Sequence, residues 1–187
     1  MSFSKLWSSP TTRTVLRTLT WIPVFVFFID HCYSFASVEG RSMQPTFNPD
    51  SNMLARDIVL LNRWLVMSHR FYHGEVVTMW SPRNPDLMIT KRIIALEGDT
   101  VKTLKPYPEK LVHIPKGHMW VEGDEAFHSR DSNTFGSVPL GLINAKVTFI
   151  LWPLSRFGPV ARVVKPDRVI FSPASKNSFN EDPDLWL

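Results

Sequence analysis

A mostly β domain behind one N-terminal transmembrane helix is the architecture this sequence predicts, and three observations predict it. The segment 15–37 is strongly apolar through Trp21-Ile-Pro-Val-Phe-Val-Phe-Phe-Ile29, and a bilayer span needs about 20 residues of that kind. Beyond it, short apolar runs alternate with turn residues, the spacing of strands. The chain also holds 15 prolines against 8 glycines, which suits rigid turns more than long helices. Its 187 residues, 44% hydrophobic and 20% charged, have a mean hydropathy of −0.07. That size and balance can bury a real core and exclude a disordered chain or a polytopic membrane protein.

Taken in order, residues 1–14 form a basic leader. Over 1–29, where no acidic residue occurs, Lys5, Arg13 and Arg17 sit among serines and threonines, and Asp30 is the first carboxylate, the composition of a mitochondrial targeting sequence. The anchor follows over 15–37, with Pro23 placed to kink it and with Asp30 and His31 interrupting its apolar run. A buried helix or a cleaved signal peptide would also read this way, but no small-residue cleavage site follows. Basic residues on its N-terminal side predict that this end faces the matrix or cytosol and that the body lies across the membrane. Asp30 pairs with a partner's helix or snorkels to the interface. A β-rich domain then covers 38–171, with strands predicted at 57–64, 75–80, 87–96, 100–104, 119–122 and 145–152 and a short helix at 63–70. The polar, proline-punctuated tail 172–187 is expected to be disordered.

The chemistry starts at Ser42, a serine in a turn between Gly40 and Pro45. A serine hydroxyl needs a base within hydrogen-bond reach before it becomes a nucleophile. None of His31, His69, His73, His113, His118 and His128 belongs to a Gly-x-Ser-x-Gly context, so a Ser-His-Asp triad has no support. Lysine is the alternative base. Period-two reading of 87–96 puts Leu87, Ile89, Lys91 and Ile93 on one face. There Lys91 is either desolvated, with its pKa lowered by as much as roughly 3 to 5 units, or it snorkels to solvent. Arg92, on the opposite face, reads as an ordinary surface charge. His69 and His73 lack a third metal ligand, and Asp124, Glu125 and Asp131 lack the spacing of a calcium loop. Cys32 is the one cysteine, so neither an internal disulfide nor a cysteine-built metal centre is possible. The net charge of +4 (21 basic minus 17 acidic) is scattered rather than clustered with aromatics, which ranks nucleic-acid binding last.

Four stretches in order resemble the successive boxes of the type I signal peptidase family. They are Gly40-Arg-Ser-Met-Gln-Pro-Thr46, Arg56-Asp-Ile-Val-Leu-Leu61, Lys91-Arg-Ile-Ile-Ala-Leu-Glu-Gly-Asp99 and Gly123-Asp-Glu-Ala-Phe-His-Ser-Arg-Asp-Ser-Asn-Thr-Phe-Gly136. The leader and anchor resemble the mitochondrial inner membrane peptidase branch. Within it Asp131-Ser-Asn133 is similar to the second catalytic subunit, since most relatives carry arginine at Asn133.

The resemblance implies an antiparallel β catalytic domain and a Ser-Lys dyad, in which Ser42 attacks the scissile carbonyl and Lys91 serves as base and then acid. It implies that Ser129 orients the lysine, that Asp131 supports that region, and that the Ser42 backbone N–H is an oxyanion donor. Gly40 stands where many relatives place a second, hydroxyl donor, and Glu125 replaces the usual asparagine. Precursor polypeptides, bound extended beside the Lys91 strand and the segment before Ser42, are the implied substrates. Met43 and Phe47 either line the pockets, dip into lipid or pack in the core. The implied partners are a sister catalytic subunit and the lipid bilayer; no cofactor and no metal are implied. The implied location is the mitochondrial inner membrane, single-pass, with the catalytic domain facing the intermembrane space. The competing reading is an inactive, membrane-anchored adaptor for peptides or a partner protease.

Overall fold

In the computed structural model the described residues are 10–49, 56–68, 70–127, 129–173 and 175. Two helices open the described chain, α1 over Pro10–Leu19 and α2 over Trp21–His31. Pro23 has no N–H to return to Leu19, and the helix divides at Thr20, whose hydroxyl donates to the Arg17 carbonyl at 2.7 Å. The expected single helix over 15–37 is therefore two shorter ones, and its last residues are strand. Among the described residues no helix is long and apolar enough to cross a membrane. Tyr33–Ser37 leaves the helical line as β1 because its backbone pairs with β2, Ile58–Asn62, residue for residue.

The other strands are β3 Val76–Trp80, β4 Met88–Ala95, β5 Thr100–Lys102, β6 Leu111–His113, β7 His118–Glu122, β8 Val138–Pro139, β9 Ile143–Trp152, β10 Gly158–Pro159 and β11 Val169–Ile170. Two short α-helices lie between the strands, α3 over Trp64–Met67 and α4 over Ser132–Phe135. The six strands and the short helix expected from the sequence correspond to β2, β3, β4, β5, β7, β9 and α3. Of the strands not expected, β8, β10 and β11 have two residues each and β6 three, too few to show a period, while β1 falls within the segment read as the anchor.

Every pairing is antiparallel. The main sheet runs β1-β2-β9-β3-β4-β7-β8, with β10 also on β9, and β11-β5-β6 form a second sheet. Strand β9 is central because its 10 residues reach β2, β3 and β10. Three buried clusters fill the fold. Val59, Leu61, Val76 and Val147 pack with Met43 and Phe47; Val77, Ile93, Met119 and Val121 form a second cluster; Ile94, Val101, Trp120 and Val169 form the third. Alternate residues of β4 and β7 thus feed different cores, so β4 is covered on both faces. Ser172, the first residue of the expected tail, is tied by its N–H to Asp99 Oδ1 at 2.9 Å, and Ser175 bonds Ser172. The leader residues 1–9 and the tail beyond 175 lie outside the described residues.

Candidate active site

Ser42 sits in a turn whose shape is set by its neighbours. Met43 and Phe47 are 2% and 1% exposed in the first core, so of the three roles open to them packing is the one found. Phe47 N–H donates to the Met43 carbonyl at 2.9 Å, closing the turn. Asn48, at φ 49°, receives the Asp57 N–H at 2.8 Å and gives its own to Asp57 Oδ2 at 2.9 Å. That reciprocal pair explains what the second box contributes, because Asp57 fastens the serine turn to the start of β2. Arg156 adds a further ion pair to Asp57. Gly40, at φ +85°, occupies a left-handed conformation that favours glycine, with open space around it.

Lys91 lies on β4 opposite Val77 of β3 and is 3% exposed. It does not snorkel. Its Nζ donates to Ser129 Oγ at 3.0 Å. Burial lowers its pKa to about 8, against the raising effect of the Asp131 and Asp124 carboxylates. Asp131 caps α4, accepting the Asn133 N–H at 3.0 Å, and its second oxygen accepts the Gly123 N–H at 3.2 Å. Gly123 is where the segments meet. A Cβ there would collide with the Ser129 side chain and the Ser42 carbonyl, so only glycine lets both approach. The Glu125 N–H donates to that same Ser42 carbonyl at 3.2 Å, so Glu125 serves the serine turn through its backbone.

Ser42, Lys91, Ser129 and Asp131 therefore lie around Gly123. The links run from Lys91 to Ser129 and from Ser42 to Gly123; among the described residues no hydrogen bond joins the Ser42 hydroxyl to Lys91. The Ser42 N–H likewise has no partner among them.

Arg92 overturns its expected place at the surface. It is fully buried and grips Asp124 with two bonds of 2.8 Å, while it also donates to Thr46 Oγ1 at 3.0 Å and to the Gly74 and Ala161 carbonyls at 2.7 and 3.0 Å. Thr46 gives its own proton to Asp124 at 2.6 Å. Burial alone would raise the Asp124 carboxyl, but the bonds and charge of Arg92, with the Thr46 hydroxyl, hold it below the ordinary carboxylate range. This clamp pulls the serine turn and the loop after β7 onto the strand that carries Lys91. Sequence patterning missed Arg92 and Gly123, although both belong to the boxes quoted above.

Asn133, 5% exposed, accepts the Leu104 N–H at 2.7 Å and donates to Glu122 and Asp131. His73 is committed to Asp99 at 2.6 Å, while His69 and His128 lie outside the described residues. Among the described residues no three His, Cys, Asp or Glu side chains gather as a metal ion requires.

Comparison with known proteins agrees with these boxes. The family model "Signal peptidase, peptidase S26" matches residues 11–106 and 102–152. The chain is 50% identical over 148 residues to mitochondrial inner membrane protease subunit 2 of Schizosaccharomyces pombe, covering 79% of this chain and 81% of that one. It is 48% identical over 147 residues to the mouse protein of the same name, covering 79% and 83%. Against mitochondrial ATP-independent inner membrane protease subunit 1a of Arabidopsis thaliana the identity is 35% over 170 residues, covering 84% and 95%. A crystal structure of a signal peptidase I from Enterococcus faecalis V583 aligns with 42% of this chain and 97% of its own, at 23% identity and a TM-score of 0.36.

Proposed function

This chain belongs to the signal peptidase family, peptidase S26, and is a peptidase of the signal peptidase I type; from that premise we propose that it is a membrane-bound serine endopeptidase with a Ser42-Lys91 dyad, removing sorting presequences from precursors delivered to the mitochondrial intermembrane space. One observation carries the reading. An amine 3% exposed and lowered to about 8 is held 3.0 Å from a serine hydroxyl beside the turn that bears Ser42. A buried lysine costs stability, and a fold has reason to keep one where the free amine is used.

The chemistry then runs in two halves. Neutral Lys91, oriented by Ser129, takes the proton of Ser42 Oγ as that oxygen attacks the scissile carbonyl. The Ser42 N–H faces the developing oxyanion. The lysinium returns its proton to the leaving amine, the peptide bond breaks, and an acyl-serine remains. A water, deprotonated by Lys91, attacks that ester, and the proton passes back to Ser42. Hydrogen bonds of the dyad commonly tighten only once substrate is in place.

Substrate geometry follows from the sheet. Among the described residues β4 pairs with β7 only from Arg92 onward, since the chain turns away at Gly123. The edge of β4 before Lys91 is the place for an extended peptide, whose main chain pairs with it. The names of the relatives, subunits of a mitochondrial inner membrane protease, support the inner membrane as the compartment and a multi-subunit complex, in which a sister catalytic subunit is the partner of this proposal. The anchor is placed on the helical part of the expected segment, ahead of β1, and Trp21, Phe25 and Phe27 of α2, 67%, 65% and 60% exposed, are suited to lipid. The catalytic domain then faces the intermembrane space.

The test uses the detergent-solubilised complex carrying wild type, Ser42→Ala or Lys91→Met, with assembly followed in parallel. Both variants assemble and cut no precursor assigned to this subunit, and the wild-type rate rises with pH through about 8. Full cleavage by both variants would instead make the chain an adaptor for a partner protease.

A further inference from the structure

Glu122, the last residue of β7, is 2% exposed. A carboxylate so deep needs a cation or several donors. It receives Trp120 Nε1 at 3.0 Å and Asn133 Nδ2 at 3.0 Å. Its register partner on β4 is Arg92, whose guanidinium is spent on Asp124, Thr46 and two carbonyls. The cation comes from far along the chain. Arg168 ends the 3-10 turn Pro166–Arg168, just before β11, and β11 is fixed to β5. Its Nη2 and Nη1 donate to the two Glu122 oxygens at 2.7 and 3.2 Å, and its Nε donates to the Lys102 carbonyl at 2.8 Å. The same Asn133 amide that meets Glu122 also donates to Asp131 Oδ1 at 3.2 Å.

We infer that Arg168 is a positioning residue for the reaction: by neutralising Glu122 it holds, through Asn133, the Asp131 carboxylate that stands beside Lys91. The inference rests on Lys91 being the base. The charged groups facing Lys91 are Asp131, ahead of α4, and Asp124, after β7. Asp124 is neutralised by Arg92 and further favoured by the charge of Lys165. On the β3 side Lys91 meets Val77, and Lys146 beyond it on β9 is paired with Glu75. Glu122 thus takes its ion-pair cation from the C-terminal segment, whereas Asp124 takes its own from the neighbouring strand residue Arg92 and only a more distant charge from Lys165. Without Arg168, one uncompensated negative charge stands on the network, which favours the lysinium and withdraws free amine at neutral pH.

The experiment measures kcat and KM for precursor cleavage from pH 6 to 9 with the assembled complex carrying Arg168→Met, Arg168→Lys, Arg168→Met with Glu122→Gln, and Lys91→Met. Arg168→Met is expected to lower kcat at pH 7 by roughly threefold or more, with KM within about twofold, and to move the rising limb upward by about half a pH unit. Arg168→Lys keeps the limb near its wild-type position. The double variant, which removes the carboxylate charge together with its cation while keeping the acceptor for Trp120 and Asn133, returns the limb to the wild-type pH. A loss of activity that only follows the loss of assembled chain, with the limb unmoved, overturns the inference. So does a double variant that stays shifted. Cleavage retained by Lys91→Met overturns the dyad itself, and the inference with it.

Discussion

Lys91 and Arg92 are neighbours on one strand, both buried, and their charges are handled in opposite ways. The Arg92 guanidinium is received by a carboxylate, a hydroxyl and two carbonyls, which compensate its burial. Lys91 has one hydroxyl partner, so burial works against its charged form and lowers it to about 8. The consequence for stability has a definite sign. The unfolded chain holds the lysine proton up to its ordinary value while the folded chain releases it near 8, so stability rises between those two pH values and the full penalty is present below 8. Lys91→Met is therefore expected to abolish cleavage and to stabilise the domain at pH 7 by up to about 3 kcal/mol, read as an increase in denaturant midpoint. Gly123→Ala moves the other way. Its methyl would meet Ser129 and the Ser42 carbonyl, and a kcat loss of roughly a hundredfold is expected from displacing the site by about 1 Å, whereas Gly141→Ala, where the space is open, leaves kcat unchanged. Neither Gly123 nor Arg92 could be singled out by residue type alone. A glycine's need shows only when another segment arrives at its missing Cβ.

At the scale of elements, the serine turn and β4 are the two pieces that matter most. The turn over 40–49 has no regular backbone pairing; it is held by Met43 and Phe47 in the core and by the Asn48–Asp57 exchange. Phe47→Ala is expected to cost about 3–5 kcal/mol and to reduce cleavage through loss of folded chain, which thermal unfolding would register beside an unchanged pH limb. Strand β4 was legible because its alternation is long enough to show a period. Alternation also gave the face of Lys91 correctly and misread Arg92, for one reason: it separates two faces without saying what covers either. On a sheet with one solvated face Arg92 would be exposed. Here a second core lies behind the strand. In the N-terminal segment hydropathy marked the apolar run, but it could not tell where helix gives way to strand at Tyr33, because that boundary is made by pairing with β2.

Across the whole molecule, carboxylates are the fasteners between distant parts. Asp124 joins the serine turn to β4, and Asp99 joins His73, Leu96 and Ser172. For Asp99, burial pushes the carboxyl up, while the hydrogen bonds from His73, Ser172 and Leu96 prevail and hold it below its ordinary value. A carboxylate with a lowered folded value lends stability above about pH 4 and loses it as pH falls through that folded value. The domain is expected to lose thermal stability steeply below about pH 4. Asp99→Asn should be less stable at pH 7 and show a shallower acid slope, as followed by melting temperature between pH 3 and 7. By itself the sequence determined the strand-rich class, the longer strands and the four boxes, since alternation and motif are local properties that a linear chain carries openly. The tertiary structure alone decided that Lys91 is dry, that Arg92 is a clamp and that Gly123 must be bare. The partners that make them so lie 38 residues from Lys91 and 18 to 69 from Arg92 along the chain, and burial is fixed by what folding brings against a side chain from those distances.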